Sequence, residues 1–243
     1  MDVFEAIDSR FSCRWFLDKP IEARLVRDLI ARAGRAASGG NLQPWHVYAL
    51  TGAPLADLKK QVAEAIANRD PRHNASEYPI YPDTMWEPYK SRRESHHVQL
   101  YGALGIARDD TEARLKQHKR NFEFFNAPVA LFIAIDRKLG PGQWADLGGY
   151  IHALAYLARG HGLDTCPQES WARMHDIVRP FVKMPPEQML SRCRQGVGQQ
   201  FRRDGSHSAV PPGIAKPTWM TQLRVRQESW QRIGGESPSR GKA

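Results

Sequence analysis

Two short segments near the N-terminus carry the residues best suited to bind an anionic ligand. The first, Arg10–Arg14, reads Arg-Phe-Ser-Cys-Arg and places two guanidinium groups around a serine hydroxyl. Guanidinium groups match the geometry of phosphate oxygens, and a hydroxyl adds a hydrogen-bond donor. Arg10, Ser12 and Arg14 are therefore candidate phosphate ligands. An isolated pattern of this kind is more often a solvated basic loop between two helices.

The second segment, Ser38–Trp45, reads Ser-Gly-Gly-Asn-Leu-Gln-Pro-Trp. Its glycines allow the backbone to approach a ligand closely. The amide side chains of Asn41 and Gln43 can donate and accept hydrogen bonds to a heterocycle or to hydroxyl groups. Together with the first segment, this turn predicts a site for a phosphorylated, planar cofactor, with Ser38 as a further candidate ligand.

Helices and strands must position these two segments. Residues 128–135 are apolar throughout, which predicts a strand covered on both faces. Residues 143–159 are apolar nearly all round, which predicts a buried helix. An amphipathic helix separates the two N-terminal segments, and further helices are expected over residues 98–107 and 111–125.

Residues 70–93 differ from the rest because four prolines interrupt a series of aromatic side chains. Proline excludes a regular helix or a central strand, so we expect a long loop here. Such a loop inside a compact domain is often a lid or binding loop. A surface excursion held down by its aromatic residues fits the pattern equally well.

The composition changes again near residue 190. Residues 191–243 are rich in Gly, Ser, Pro and Gln and have no sustained helical or strand period. We therefore divide the chain into a folded domain, 1–190, and a basic tail, 191–243, that is partly disordered.

The net charge of +9 does not indicate a nucleic-acid-binding protein. The tail holds ten Lys/Arg and three Asp/Glu, so it carries +7 of this charge and the main body is nearly neutral. A basic tail can bind polyanions without specificity. It lacks the interleaved aromatic residues of a surface that recognises nucleic acid, and no specific nucleic-acid partner is expected.

Other features lead us to expect a cytoplasmic location. The first ten residues contain acids and no apolar core of a signal peptide, and no apolar run reaches the roughly 18 residues of a membrane helix. Three scattered cysteines without C-x-x-C spacing favour a reducing compartment. The nine histidines show no ligand spacing, so no metal site is expected.

The two N-terminal segments together resemble the FMN-dependent nitroreductase family. In that family Arg-x-Ser-x-Arg/Lys follows the first helix, and Ser-x-x-Asn-x-Gln-Pro-Trp comes about one helix later. The resemblance covers residues 3–190 and includes five further segments: 85–93, 101–107, 126–129, 144–148 and 162–171.

This resemblance implies an α+β fold with a central, mostly antiparallel sheet flanked by helices, in an intertwined homodimer. FMN would bind at the dimer interface through residues of both subunits. Arg10, Ser12 and Arg14 would hold the phosphate and ribityl end, and Asn41 and Gln43 would lie against the flavin. The backbone near flavin N5 would come from one turn, formed by Pro167, Gln168, Glu169 and Ser170.

The resemblance also implies the activity. NADH or NADPH would give hydride to flavin N5, and a nitroaromatic, quinone or similar small-molecule acceptor would then take the electrons. The flavin supplies the reactive chemistry, which explains why no catalytic dyad stands out. Two alternatives stay open: a sibling flavin reaction, such as reductive dehalogenation or ene reduction, and a non-catalytic product with impaired FMN binding.

The second alternative follows from a departure near Leu190. Family members continue there with an apolar strand and later an arginine segment that reaches the FMN phosphate, whereas residues 191–200 are polar. Arg224 is the candidate for the missing arginine. We hypothesise that the reading frame shifts near residue 190.

Overall fold

The computed structural model describes residues 1–70 and 75–200, and for residues 191–195 it describes the backbone only. Short 3₁₀ turns lie at Gly39–Asn41, Arg120–Asn126 and Ser170–Met174. The longer elements, in chain order, are α1 (Val3–Ser9), α2 (Ala23–Ala33), β1 (His46–Thr51), α3 (Gly52–Ala67), α4 (Tyr89–Ala103), α5 (Thr111–Lys119), β2 (Val129–Asp136), α6 (Pro141–Gly160), β3 (Asp164–Gln168), α7 (His175–Phe181) and β4 (Gln188–Gly198).

The four strands form one sheet in the order β1-β2-β4-β3, and each neighbouring pair is antiparallel. Strand β4, the last of these four in sequence, is therefore an inner strand, and β3 is joined to the sheet through β4. Helices pack on both faces. The predicted α+β fold with a mostly antiparallel sheet flanked by helices is confirmed.

Strand β2 organises the core because side chains on both of its faces are buried. Leu131 and Ile133 pack with residues of α2 and α6 in one apolar cluster. Phe132, which points to the other face, packs with residues of α3 and α7 in a second cluster. The rings of Phe124 and Trp171 stack at 4.4 Å in this second cluster. The doubly covered strand predicted over residues 128–135 is thus present.

Strand β4 corrects the expectation that regular structure ends at Leu190. The strand continues to Gly198 and pairs with β2 on one edge and β3 on the other. A Cβ atom on Gly198 would lie 2.8 Å from both Phe16 and Pro128, so glycine lets these side chains cover the strand closely. Backbone pairing on both edges, rather than an apolar sequence, holds β4 in the sheet. The rest of the predicted tail, 201–243, lies outside the described residues.

The helices of residues 89–119 also differ from the expectation. Helix α4 begins at Tyr89, directly after Pro88, and ends at Ala103, whereas a helix over 98–107 was expected. Helix α5 ends at Lys119, and a 3₁₀ turn follows instead of a helix to residue 125. No residue of α4 or α5 is buried. Apolar periodicity in the sequence therefore cannot predict the bounds of these helices. We refer to residues 89–119 as the arm.

The segment that precedes the arm is attached to the core near the beginning of that segment. The Glu77 carboxylate, which is almost fully buried, pairs with Arg137 and accepts a hydrogen bond from the Leu190 amide at 2.9 Å. Tyr78 is buried and meets the Trp144 ring edge-on at 5.8 Å. Further along, Tyr81, Trp86 and Tyr89 are about half exposed. The long loop expected over residues 70–93 ends at Pro88, because α4 begins at Tyr89; its described part is anchored at Glu77 and Tyr78 and exposed toward α4.

Candidate functional site

The Arg10–Arg14 segment lies along the free edge of β3. Ser12 pairs with Thr165 in a short parallel bridge, and the Cys13 amide donates to the Thr165 carbonyl at 3.0 Å. This pairing places Arg10, Ser12 and Arg14 beside the start of the Pro167–Ser170 turn. We call the Arg10–Arg14 segment and Thr165–Ser170 the phosphate-side half-site.

The phosphate-side half-site is electrostatically positive. Burial raises the pKa of the Cys166 thiol to about 11, while Arg14 and Arg10 act in the opposite direction because both guanidinium groups lie near it. Among the described residues, no carboxylate forms an ion pair with either arginine. The Thr165 hydroxyl is buried, and none of the described residues forms a hydrogen bond with it. A phosphate group would find suitable donors here: the guanidinium groups of Arg10 and Arg14 and the hydroxyl groups of Ser12 and Thr165.

The Gln168 side chain points into the protein rather than outward. Its Nε2 donates to the Asn121 carbonyl at 2.8 Å, and Trp171 Nε1 donates to the same carbonyl at 2.9 Å. The buried Gln168 side chain therefore fixes the course of the turn. Pro167, Glu169 and Ser170 are partly exposed, so this turn is accessible beside Arg10–Arg14.

The second predicted segment forms an exposed turn before β1; we call it the flavin-side turn (Ser38–Gln43) after the role that the resemblance implies. Ser38 Oγ accepts a hydrogen bond from the Gln43 amide at 3.0 Å. Gln43 Nε2 donates to Asn41 Oδ1 at 2.9 Å. The two amide side chains are thus held side by side on the protein surface.

A cavity of about 820 Å³ opens beside the flavin-side turn. Trp45 stacks on Tyr150 with ring centroids 4.8 Å apart and forms part of its wall. The Tyr150 hydroxyl donates to the Ile30 carbonyl at 3.1 Å. The residues that line the cavity include all three predicted members of this turn: Ser38, Asn41 and Gln43.

The phosphate-side half-site and the flavin-side turn lie far apart within one chain. We call them the two half-sites. Asp146 of α6 accepts a hydrogen bond from the Gly39 amide, and Arg159 of the same helix donates to Ser9, which directly precedes Arg10. Thirteen residues of helix at about 1.5 Å per residue separate these two contacts by about 20 Å. The sheet gives the same result, because β1 and β3 lie at opposite edges.

The arm approaches the phosphate-side half-site. Partial desolvation lowers the pKa of His96 on α4, and the nearby Arg14 and His97 lower it further. The arm is braced internally by the Arg114 guanidinium, which lies 3.9 Å from the ring centroid of Tyr101. A neutral His96 is therefore favoured beside Arg14.

Three residues of the site were not predicted from the sequence: Asp146, Arg159 and Thr165. Asp146 lies in a segment, 144–148, that contributes to the family resemblance, but its sequence context shows only an acid on a helix. Arg159 and Asp164 form a buried ion pair at 2.9 Å. Their spacing in the sequence does not predict this pair. The remaining predicted ligand, Arg224, lies outside the described residues.

No group of three or more His, Cys, Asp or Glu side chains is arranged to bind a metal ion among the side chains that the structure describes, those of residues 1–70, 75–190 and 196–200. In the same part of the chain, no helix is both long and apolar enough to span a membrane.

Known proteins resemble this chain in sequence. Residues 7–199 match the sequence model of the Nitroreductase family. A nitrobenzene nitroreductase of Ectopseudomonas oleovorans is 36% identical over 186 residues, which cover 76% of this chain and 82% of that protein. A 4-nitrobenzoate reductase of Pseudomonas putida is 36% identical over 198 residues, which cover 81% of this chain and 85% of that protein.

The fold is also similar to solved structures. The crystal structure of the FMN- and NADPH-dependent nitroreductase NfnB from Sphigopyxis sp. strain HMH superposes with a TM-score of 0.81 at 34% identity, covering 90% of this chain and 97% of that one. The family match spans most of the chain and includes both half-sites. The chain therefore belongs to the nitroreductase family.

Proposed function

We propose that this chain is an FMN-dependent NAD(P)H oxidoreductase that reduces nitroaromatic compounds. The observation that carries the proposal is the phosphate-side half-site, where Arg10 and Arg14 flank Ser12 beside the buried Thr165 hydroxyl. Relatives named for nitrobenzene and 4-nitrobenzoate reduction support the acceptor class. A structural neighbour described as FMN- and NADPH-dependent supports the cofactors.

Bound FMN would accept hydride from NADH or NADPH and pass the electrons to the acceptor. The protein would bind and orient it. Arg10 and Arg14 would neutralise the phosphate, Ser12 would donate to the phosphate or ribityl end, and the backbone of residues 167–170 would face the ring. Asn41 and Gln43 would supply hydrogen bonds from the flavin-side turn.

The distance between the half-sites supports a homodimeric site. Because they lie about 20 Å apart along α6, each FMN would contact the phosphate-side half-site of one copy and the flavin-side turn of the other. The arm supports the same arrangement, since a 15-residue helix that buries no residue is marginally stable by itself. On α1, the apolar side chains of Val3, Phe4 and Ile7 are exposed and available to a second copy.

The cysteines support the expected cytoplasmic location. Cys13 and Cys166 are buried free thiols, and such use of cysteine is typical of a reducing compartment.

The proposed function is tested by purifying the full-length chain and recording its visible spectrum. We expect a yellow dimer whose flavin absorbance is bleached by NADPH or NADH without oxygen and restored by nitrobenzene or 4-nitrobenzoate. A colourless protein that cannot be reconstituted with FMN would contradict the proposal. A flavoprotein that NAD(P)H reduces but no nitroaromatic reoxidises would contradict the acceptor class alone.

A further inference from the structure

The flavin-side turn has a strained backbone that lies on the surface. Gly40, Asn41 and Gln43 have φ values of 58°, 58° and 48°, in the left-handed region. Glycine adopts this conformation without steric cost, whereas the side chains of Asn41 and Gln43 make it unfavourable. Residues 39–43 are all exposed. Core packing therefore cannot hold this conformation, and hydrogen bonds must do so.

Most of these hydrogen bonds are internal to the turn, so they cannot fix its position on the protein. The Ser38 hydroxyl, the Asn41 amide and the carbonyls of residues 38 and 39 all bond within the segment. Among the described residues, one side chain from another element bonds to it: Asp146 Oδ2 accepts the Gly39 N–H at 3.1 Å. This bond joins positions 107 residues apart in the sequence.

Asp146 is itself well fixed. It lies on α6 next to Leu147, which is buried, and four residues before Tyr150, which is fully buried. Residues four apart lie on the same helix face. Asp146 therefore bonds the beginning of the flavin-side turn, while Tyr150 stacks on Trp45 just beyond its end. One face of α6 thus holds both ends of the turn.

We propose that Asp146 is a positioning residue for the cofactor. Its carboxylate holds the Gly39 amide, and this bond keeps the turn in the strained conformation that presents Asn41 and Gln43. The inference rests on the proposed FMN-dependent function. It assigns Asp146 no contact with the cofactor, and the hydrogen-bond acceptor, rather than the negative charge, is the property that matters.

The test measures the FMN dissociation constant of the flavin-free, full-length protein by quenching of flavin fluorescence, with thermal unfolding measured in parallel. We expect D146A to weaken FMN binding roughly tenfold, the upper end of the effect of losing one hydrogen bond. D146N keeps a side-chain oxygen that can accept the Gly39 N–H, so its affinity should stay within about threefold of the parent. The control is D28A, which removes an exposed carboxylate from α2.

A second variant removes the same hydrogen bond from the donor side. G39P has no N–H at position 39, and the extended backbone of Ser38 (φ −142°, ψ 146°) is compatible with a following proline. G39P should weaken FMN binding about as much as D146A. The double variant D146A/G39P should lose little more than either single variant, because both remove one interaction.

Different outcomes separate the inference from the proposed function. If the parent binds FMN and D146A binds it equally well, the inference is wrong and the proposed function stands. Equal weakening in D146N and D146A would also overturn the inference, since the charge would then be responsible. If the parent does not bind FMN, the proposed function fails and the inference fails with it.

Discussion

The two half-sites at opposite ends of α6 are built in different ways. On the phosphate side, the Arg10–Arg14 segment is paired through its backbone with β3, and the Arg159–Asp164 ion pair lies buried beneath it. On the flavin side, an exposed turn is held by its own side chains and by Asp146. The difference indicates that the phosphate-side half-site depends on the folded core. The flavin-side turn depends on a few local hydrogen bonds.

The largest expected effect comes from breaking the buried ion pair on the phosphate side. R159A leaves the buried Asp164 carboxylate without Arg159 and should lower the free energy of unfolding by about 3 kcal/mol. Urea unfolding of the flavin-free protein measures this loss. R32A, which removes an arginine that pairs with Asp28 on the surface of α2, should stay within about 0.5 kcal/mol of the parent. Equal stability of both variants would contradict the claim that the core supports this half-site.

The second effect tests whether β4 supports the phosphate side. In G198A the new methyl group would lie 2.8 Å from Phe16 and Pro128, and Gly198 pairs with Asp164 of β3. We expect a loss of about 1–3 kcal/mol in the free energy of unfolding. G142A, where a Cβ meets no atom within 4 Å, is the control. A fully stable G198A protein would show that β4 does not pass beneath Phe16.

A smaller effect separates binding from folding within the phosphate side. R14A should raise the FMN dissociation constant about 10- to 100-fold, because a hydrogen bond between charged groups is lost. The unfolding free energy of the flavin-free protein should stay nearly unchanged, since Arg14 has no carboxylate partner among the described residues. Flavin titration and urea unfolding measure the two quantities. R24A, at an exposed arginine on α2, controls for the loss of positive charge.

The smallest effect is expected in the flavin-side turn. S38A removes the hydroxyl that accepts the Gln43 amide, while the bond between Gln43 and Asn41 and the bond to Asp146 remain. FMN affinity should fall about threefold to fivefold, as expected for a neutral hydrogen bond, with no change in the melting temperature. A lower melting temperature in S38A would remove the distinction between the two half-sites.

The sequence was informative where an element buries apolar side chains along its length. Strand β2 and helix α6 have buried apolar residues along most of their length, and both were predicted nearly to their ends. The arm buries nothing, so periodicity could not mark the start of α4 at Tyr89. Strand β4 is stabilised by backbone pairing on both edges and by close contacts at Gly198, which hydropathy does not report.

The site could be predicted as residue types but not as geometry. The motifs identified Arg10, Ser12, Asn41 and Gln43 because their chemistry suits a flavin phosphate and ring. The distance of about 20 Å between the two sets depends on α6, which begins at Pro141, far beyond both of them in the chain. The roles of Asp146 and Arg159 depend on the same tertiary packing, so no local pattern reveals them.

The hypothesis that the reading frame shifts stays a prediction, but the shift would have to occur later in the chain than residue 190. The family match extends to residue 199, so a shift near residue 190 would have ended the resemblance too early. If the frame changes, it does so beyond the end of β4. Translation of the other two frames of the gene from that point should yield an arginine segment, and its absence from both frames would contradict the hypothesis.

The position of β4 in the sheet has a consequence for synthesis on the ribosome. Strand β3 joins the sheet through β4, and the Arg10–Arg14 segment pairs with β3. These arginines are made early, yet their docking edge is complete only when the chain has grown to Gly198. At roughly 5–20 residues per second, that interval is roughly 10 to 40 seconds. The first part of the proposed cofactor site to be translated is therefore among the last to reach its native place.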